Sequence, residues 1–123
     1  MKILLSIKPE YAESILDGHK KFEFRKSIFR NSDVKTVVIY ATMPVGKVVG
    51  EFEVDRVISL APDDLWDMTK KYAGITRDFF DEYFSERSRG FAIGVKNPQR
   101  YDAPFSLSEL LPGAVPPQSF RYL

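Results

Sequence analysis

Pro9 and Gly18 punctuate the first part of the chain, and what they separate limits the possible folds more than any other feature. Lys2–Ile7 is a short aliphatic run of the kind that forms a buried strand, and Pro9, which has no N–H to give to a ladder, ends it. Proline suits the first turn of a helix. Ala12, Ile15 and Leu16 then fall at helical spacing up to Asp17, and Gly18 is placed to close the helix in the left-handed conformation. From Lys20 to Arg25 the period changes to two, with Phe22 and Phe24 on one face and Lys21, Glu23 and Arg25 on the other. The chain therefore opens as strand, short helix, half-buried strand.

Further strands follow before any second helix. Val34–Ala41 is β-rich, Pro44 and Gly46 supply a turn, and Lys47–Leu60 is long enough to need a bend, for which Gly50 is the natural place. Pro62-Asp63-Asp64 opens a helical insertion carrying Leu65, Trp66, Met68 and Tyr72. Gly74 separates this from a second helix, Thr76–Phe84, with Thr76 as N-cap. Gly90–Val95 returns to strand, and a looser run ends near Leu107. Phe120 and Tyr122 in the tail are expected to pack down rather than fray. Strands and helices come in blocks rather than alternating, which argues against a doubly wound parallel sheet. The expected fold is α+β: a small, mainly antiparallel β-barrel with peripheral helices, formed by residues 1–123 as a single domain.

Composition narrows the chemistry. At 44% hydrophobic and 28% charged the chain has the make-up of a folded domain rather than a disordered one. Eighteen Lys and Arg against seventeen Asp and Glu leave a net charge of +1, too little for a global field that drives non-specific nucleic-acid binding, so any such site must be local. With no cysteine and one histidine, disulfides, thiolate zinc sites and a cysteine nucleophile are excluded, and no metal or cofactor is expected. No apolar run is long enough for a spanning helix, and the amino-terminal stretch is too short for a signal peptide. A cytoplasmic location and no membrane partner are the expectation.

Among candidate site residues the alternating strand comes first. A solvated charged face over a phenylalanine core explains its pattern in full. The competing reading has Lys20, Glu23 and Arg25 lining a cleft, where Arg holds a phosphate or carboxylate and Glu accepts from an exocyclic amine or orients Arg. Strict alternation places Lys20 with Phe22 and Phe24. Both fit if Lys20 lies in the turn after Gly18, before regular pleating begins, so that its side chain can curl back. Lys8 could add charge at the cleft mouth, Tyr40 could stack on a base or fill the barrel, and Gln118 with Ser119, held by Pro116-Pro117, could read a base edge. Trp66, Phe79, Phe80, Tyr83 and Phe84 read as glue between helices and barrel; their exposure would instead indicate a protein-interaction surface. His19 reads as a turn residue, and Asp63-Asp64 as helix N-terminal charge.

The segment Gly18-x-Lys20-x-x-Glu23-x-Arg25 resembles the GxKxxExR signature of ASCH domains at every defined position. The opening strand and helix, Ile39–Pro44, Val49-Gly50-Glu51-Phe52 and Phe91-Ala92-Ile93 are similar to the family's layout as well. The resemblance implies a PUA-like β-barrel with a cleft lined by the motif, in a family associated with RNA binding and, for some members, hydrolysis. On that basis the expected ligand is RNA or a modified nucleotide, bound by Lys8, Lys20, Glu23, Arg25, Tyr40, Gln118 and Ser119. The alternative is a hydrolase acting on an N-acylated nucleoside or on RNA, with Glu23 as general base and Lys20 and Arg25 as electrostatic stabilisers. One branch resembling amidohydrolases for N4-acetylcytidine carries Thr where this chain has Glu23, and a carboxylate cannot replace that hydroxyl in its role. Binding is therefore placed ahead of catalysis.

Overall fold

A computed structural model describes residues 1–123. Its elements are β1 (Lys2–Ile7), α1 (Pro9–Leu16), β2 (Phe22–Arg25), β3 (Thr36–Ala41), β4 (Lys47–Leu60), α2 (Pro62–Thr69), a 3₁₀ turn (Lys70–Tyr72), α3 (Arg77–Tyr83), β5 (Gly90–Phe105), α4 (Leu107–Leu110) and β6 (Arg121–Tyr122). One six-stranded sheet runs in the order β2-β5-β4-β3-β1-β6. Its pairings are antiparallel except β1 with β3, which run parallel in the register Lys2↔Thr36 to Ile7↔Ala41. The mainly antiparallel barrel that was expected is borne out, with this one parallel pair making the sheet mixed; it curls into a half-barrel with β2 and β6 as its edges.

The curl comes from irregular pairing in the longest strands. Register shifts between β4 and β5 fall at Val48/Gly50, Glu51/Glu53 and Val54/Val57, and each extra residue bends its strand and increases its twist. Gly50 sits at one of these. A Cβ there would lie 2.6 Å from the Gln99 carbonyl oxygen and 2.8 Å from Leu16 Cδ2, so only glycine lets α1 settle onto the sheet. The run expected to loosen after Val95 stays extended through Phe105 because β4 partners it over nearly its whole length. The short α4, unread in the sequence, is capped by Ser106 Oγ, which accepts from the Glu109 amide at 3.3 Å.

Three apolar clusters hold these pieces together. The largest lies between α1 and the strands, around Ile3, Ile15, Val37, Ile39 and Phe52. A second joins α2 and α3 to the sheet through Leu65, Phe80 and Phe84 against Phe24 and Ala92. Phe80 packs edge-on to Phe24 at 5.2 Å between ring centroids, geometry that favours aromatic pairs beyond their buried area. Thr76 caps α3 as expected, its Oγ1 accepting from the Phe79 amide at 3.1 Å. The third cluster, around Leu4, Val38, Val48 and Leu107, seats α4. The tail is tied down through β6, with Ile3↔Tyr122 and Leu4↔Arg121 in register, and Phe120 lies edge-on to Phe29, but the Tyr122 side chain stays exposed.

Candidate functional site

The carboxyl end of β1, the first turn of α1, the β2 segment and one face of α3 meet around a cleft of about 250 Å³. Only three polar residues are buried anywhere in the chain, Lys20, Glu23 and Thr69, and two of them line this cleft. Thr69 is accounted for locally, since its hydroxyl donates to the Leu65 carbonyl one turn back. The other two need a reason, because an interior charge without full pairing is costly.

Lys20 lies ahead of the pleat, as the motif spacing requires, since β2 begins at Phe22. The amides of His19 and Lys20 both donate to the Ser14 carbonyl at 3.0 Å, so the chain leaves α1 in a tight wrap before Lys21 bonds to Tyr72. The Lys20 side chain then crosses Gly74. That glycine has φ +69°, and a Cβ there would lie 2.5 Å from Lys20 Cγ. Nζ donates to the Ala73 carbonyl at 2.6 Å and lies 5.0 and 5.3 Å from the ring centroids of Phe24 and Tyr11. The residue is 2% exposed and has no carboxylate within ion-pair distance. Burial lowers its pKa to about 8, and the more distant negative charge of Glu23 opposes that shift. At neutral pH Lys20 is an ammonium ion that surrenders its proton readily.

Glu23 and Arg25, two apart on β2, share a face and form an ion pair. Arg25 Nε and Nη2 both reach Glu23 Oε2, at 3.1 and 2.9 Å. Nη2 also donates to the Ser6 carbonyl at 2.8 Å, and Nη1 to the Ser119 carbonyl at 3.4 Å. Arg25 thus ties edge strand β2 to β1 across the open side of the half-barrel, and most of its donors are used. The guanidinium spans this seam and holds Glu23 Oε2. Glu23 is left with Oε1, which accepts no hydrogen bond from the protein. Ser6 Oγ, on the facing strand and lining the same cleft, is buried and has no partner at all.

The walls are aromatic. Tyr11, Phe79 and Tyr83 line the cleft together with Ile75 and Phe24. Burial raises the Tyr83 pKa above its usual value while Arg25 pulls it down, and burial, Glu10 and Glu23 raise that of Tyr11. Both rings remain neutral phenols. Lys8 is at the lip, its Nζ 5.1 Å from the Phe79 ring centroid.

Not every expected residue arrives here. Tyr40 is 6% exposed within the third core cluster and does not line the cleft, because both faces of β3 are covered and no solvent-facing side remains. Gln118 is exposed and makes no hydrogen bond to the site. Ser119 touches it from outside, through its carbonyl to Arg25 and its hydroxyl to Ser27 at 3.1 Å. Of the aromatic group read as glue, Phe80 and Phe84 fill that role, whereas Phe79 and Tyr83 turn toward the cleft. None of Trp66, Phe79 and Phe80 is exposed. Ser6, Tyr11 and Ile75 line the cleft and Gly74 makes room for Lys20, with no local pattern that marks them in the sequence. A signal existed for two of the walls, since Phe79/Tyr83 and Phe80/Phe84 are paired i,i+4 stripes on adjacent helix faces. A second hollow, between residues 28–35 and β4, is larger at about 380 Å³ but contains no buried polar residue. No three His, Cys, Asp or Glu residues converge to hold a metal ion, and no helix is long and apolar enough to cross a membrane.

The family model for the ASCH domain matches residues 5–105. The chain belongs to the ASCH domain family. The crystal structure of ASCH from Zymomonas mobilis superimposes with a TM-score of 0.93 at 27% identity, covering 99% of this chain and 87% of that one. This gives the half-barrel its fold family. An ASCH domain-containing ribonuclease from Zymomonas mobilis is 29% identical over 122 residues, 98% of this chain and 82% of that protein. Large ribosomal subunit protein uL22 of Ureaplasma parvum is 32% identical over 124 residues, but this ASCH domain spans only 39% of its length.

Proposed function

We propose that this ASCH domain binds RNA or a nucleotide in the cleft bounded by Lys20, Glu23 and Arg25. One observation carries the reading. A free carboxylate oxygen on Glu23, an unpartnered hydroxyl on Ser6 and a buried ammonium on Lys20 surround one aromatic-walled space of about 250 Å³. Burying a hydroxyl with no partner costs about 1–3 kcal/mol, a cost that a ligand edge with its own donor and acceptor would remove. The aromatic walls suit a planar base, since stacking is tolerant of base identity. The kinship with a protein named a ribonuclease supports RNA as the ligand class. The reading is tested by following backbone amide NMR shifts during titration with single-stranded RNA. The largest changes are expected at Ser6, Lys20, Glu23 and Phe79; changes confined to the hollow beside β4 would reject it.

A hydrolytic role is the second reading, and the pairing of Glu23 with Lys20 favours it. Glu23 Oε1 could take a proton from water or a ribose hydroxyl, acting as general base. Lys20, with a pKa near 8, could stabilise developing negative charge or return a proton to the leaving group. Arg25 would position the carboxylate and add positive potential. Substrates of this class are RNA or an N-acylated nucleoside. Product formation lost in Glu23→Gln with folding retained is the expected result. Absence of product from RNA and from a panel of acylated nucleosides would leave binding as the whole function.

A further inference from the structure

Lys8, which lines the cleft, and Lys26, beside it, are seated on two of its aromatic walls, as Lys21 and Lys71 are on Tyr72 away from it. Lys8, just after β1, and Lys26, just after β2, are both exposed, and neither has a carboxylate within ion-pair distance. Each instead lies over an aromatic ring of α3, Lys8 Nζ 5.1 Å from Phe79 and Lys26 Nζ 4.7 Å from Tyr83. Arg77 and Arg100, by contrast, are each held by two carboxylates. Phe79 and Tyr83 are one helical turn apart, which separates their anchor points by about 6 Å along α3. The two lysines also flank the seam that Arg25 closes by reaching the Ser6 carbonyl.

The interior and the lip differ in what they accept. Inside, Lys20 is held by the Ala73 carbonyl and Arg25 by Glu23 and two backbone carbonyls, while Glu23 Oε1 and the Ser6 hydroxyl can bond a base edge, and the space holds one base but not a stack. Outside, two unneutralised ammonium groups suit phosphates, and positions on either side of the opening suit phosphates on either side of one nucleotide. We propose that the cleft takes a single unstacked base from within a polynucleotide strand, with its flanking phosphates held by Lys8 and Lys26. This rests on the reading of the cleft as a nucleotide site, and it specifies the ligand as a strand rather than a free nucleoside or mononucleotide. Lys26 becomes a binding residue outside the GxKxxExR motif.

The test measures affinity of the full chain for a mixed-sequence single-stranded RNA oligonucleotide across a salt series, and for nucleoside 5′-monophosphates. Parent, Glu23→Gln and the double variant Lys8→Gln/Lys26→Gln are compared. Each lost phosphate contact flattens the slope of log affinity against log salt by about 0.7 on single strands, so the double variant is expected to flatten it by about 1.4. The parent should bind the oligonucleotide at least tenfold more tightly than any monophosphate. If Glu23→Gln weakens binding while the double variant keeps the parental slope, the strand proposal fails and the cleft reading stands. Monophosphates binding as tightly as the oligonucleotide would likewise overturn the strand proposal alone. If Glu23→Gln binds RNA like the parent, or the parent binds none of the probes, both readings fail. Both lysines are exposed, so circular dichroism should show the parental fold in the double variant.

Discussion

Arg25 and Arg100 do the same mechanical job in different surroundings. Arg100 ties β5 to α1, with Nη1 2.8 Å from Glu13 Oε1 and Nη2 2.9 Å from Asp17 Oδ1; Arg25 ties β2 to β1 and to the tail. The Arg100 cluster is roughly half exposed, with side-chain values of 43%, 55% and 52%, so each charge there lies open to solvent. At the Arg25–Glu23 pair the values are 14% and 9%, and the guanidinium relies on one carboxylate oxygen and two backbone carbonyls. The lesson is that an ion pair's meaning depends on what it leaves unpaired. Around Arg100 the oxygens without a protein partner, Glu13 Oε2 and Asp17 Oδ2, belong to half-exposed side chains and need none. Around Arg25, Glu23 Oε1, Ser6 Oγ and the unpaired Lys20 face one cavity, which is the arrangement a ligand would complete.

The sharpest way to break this contrast is to remove each arginine. Arg25→Ala leaves Glu23 as an uncompensated buried charge and unties the seam, so a loss of about 3–5 kcal/mol is expected in urea unfolding. Lys20→Met addresses the unpaired cation. The folded-state pKa of Lys20 lies at about 8, below its ordinary 10.5, so between those values the folded protein binds fewer protons than the unfolded chain. Stability of the parent relative to Lys20→Met should therefore rise as pH passes from about 8 to above 10, by about 3 kcal/mol, and be flat below that window. Paired unfolding curves at neutral and alkaline pH measure it; a difference that stays constant would mean that Lys20 is not desolvated.

Ser6→Ala sharpens the comparison in the opposite direction. Deleting a buried hydroxyl that bonds to nothing should leave the unliganded protein equally stable or more so, by up to about 2 kcal/mol, while weakening RNA binding. Thermal melts with and without RNA separate the two effects. Arg100→Ala is the small end of the series, expected to cost no more than about 1 kcal/mol and to leave RNA affinity unchanged. A loss as large as that of Arg25→Ala would erase the distinction between the clusters.

Local chemistry makes much of the fold legible in the sequence. Pro9, Gly18 and Thr76 are read by what a missing N–H, a positive φ and a capping hydroxyl do, so α1, β2 and the start of α3 fall where expected. The bounds of β4 follow from the flanking turn and Pro62. Long-range choices are not legible. Alternation tells which face a residue takes but not which strand lies beside it, and the parallel β1–β3 pairing is a choice of neighbour. Tyr40 shows the same limit, because a strand covered on both sides carries no pattern that selects a face. The motif groups Lys20, Glu23 and Arg25, yet it could not show that Arg25 is largely occupied. Ser6, Tyr11 and the Phe79/Tyr83 stripe come from elements separated in sequence, and that they share one cleft is visible only once the half-barrel has curled.

The most direct test of the central claim is the affinity of the Glu23→Gln variant for single-stranded RNA. Gln keeps the shape of the side chain and an oxygen for Arg25 while removing the charge from the cleft. A folded variant that binds RNA at least tenfold more weakly than the parent is the predicted result. A folded variant with parental affinity would contradict it and move the ligand away from this cleft.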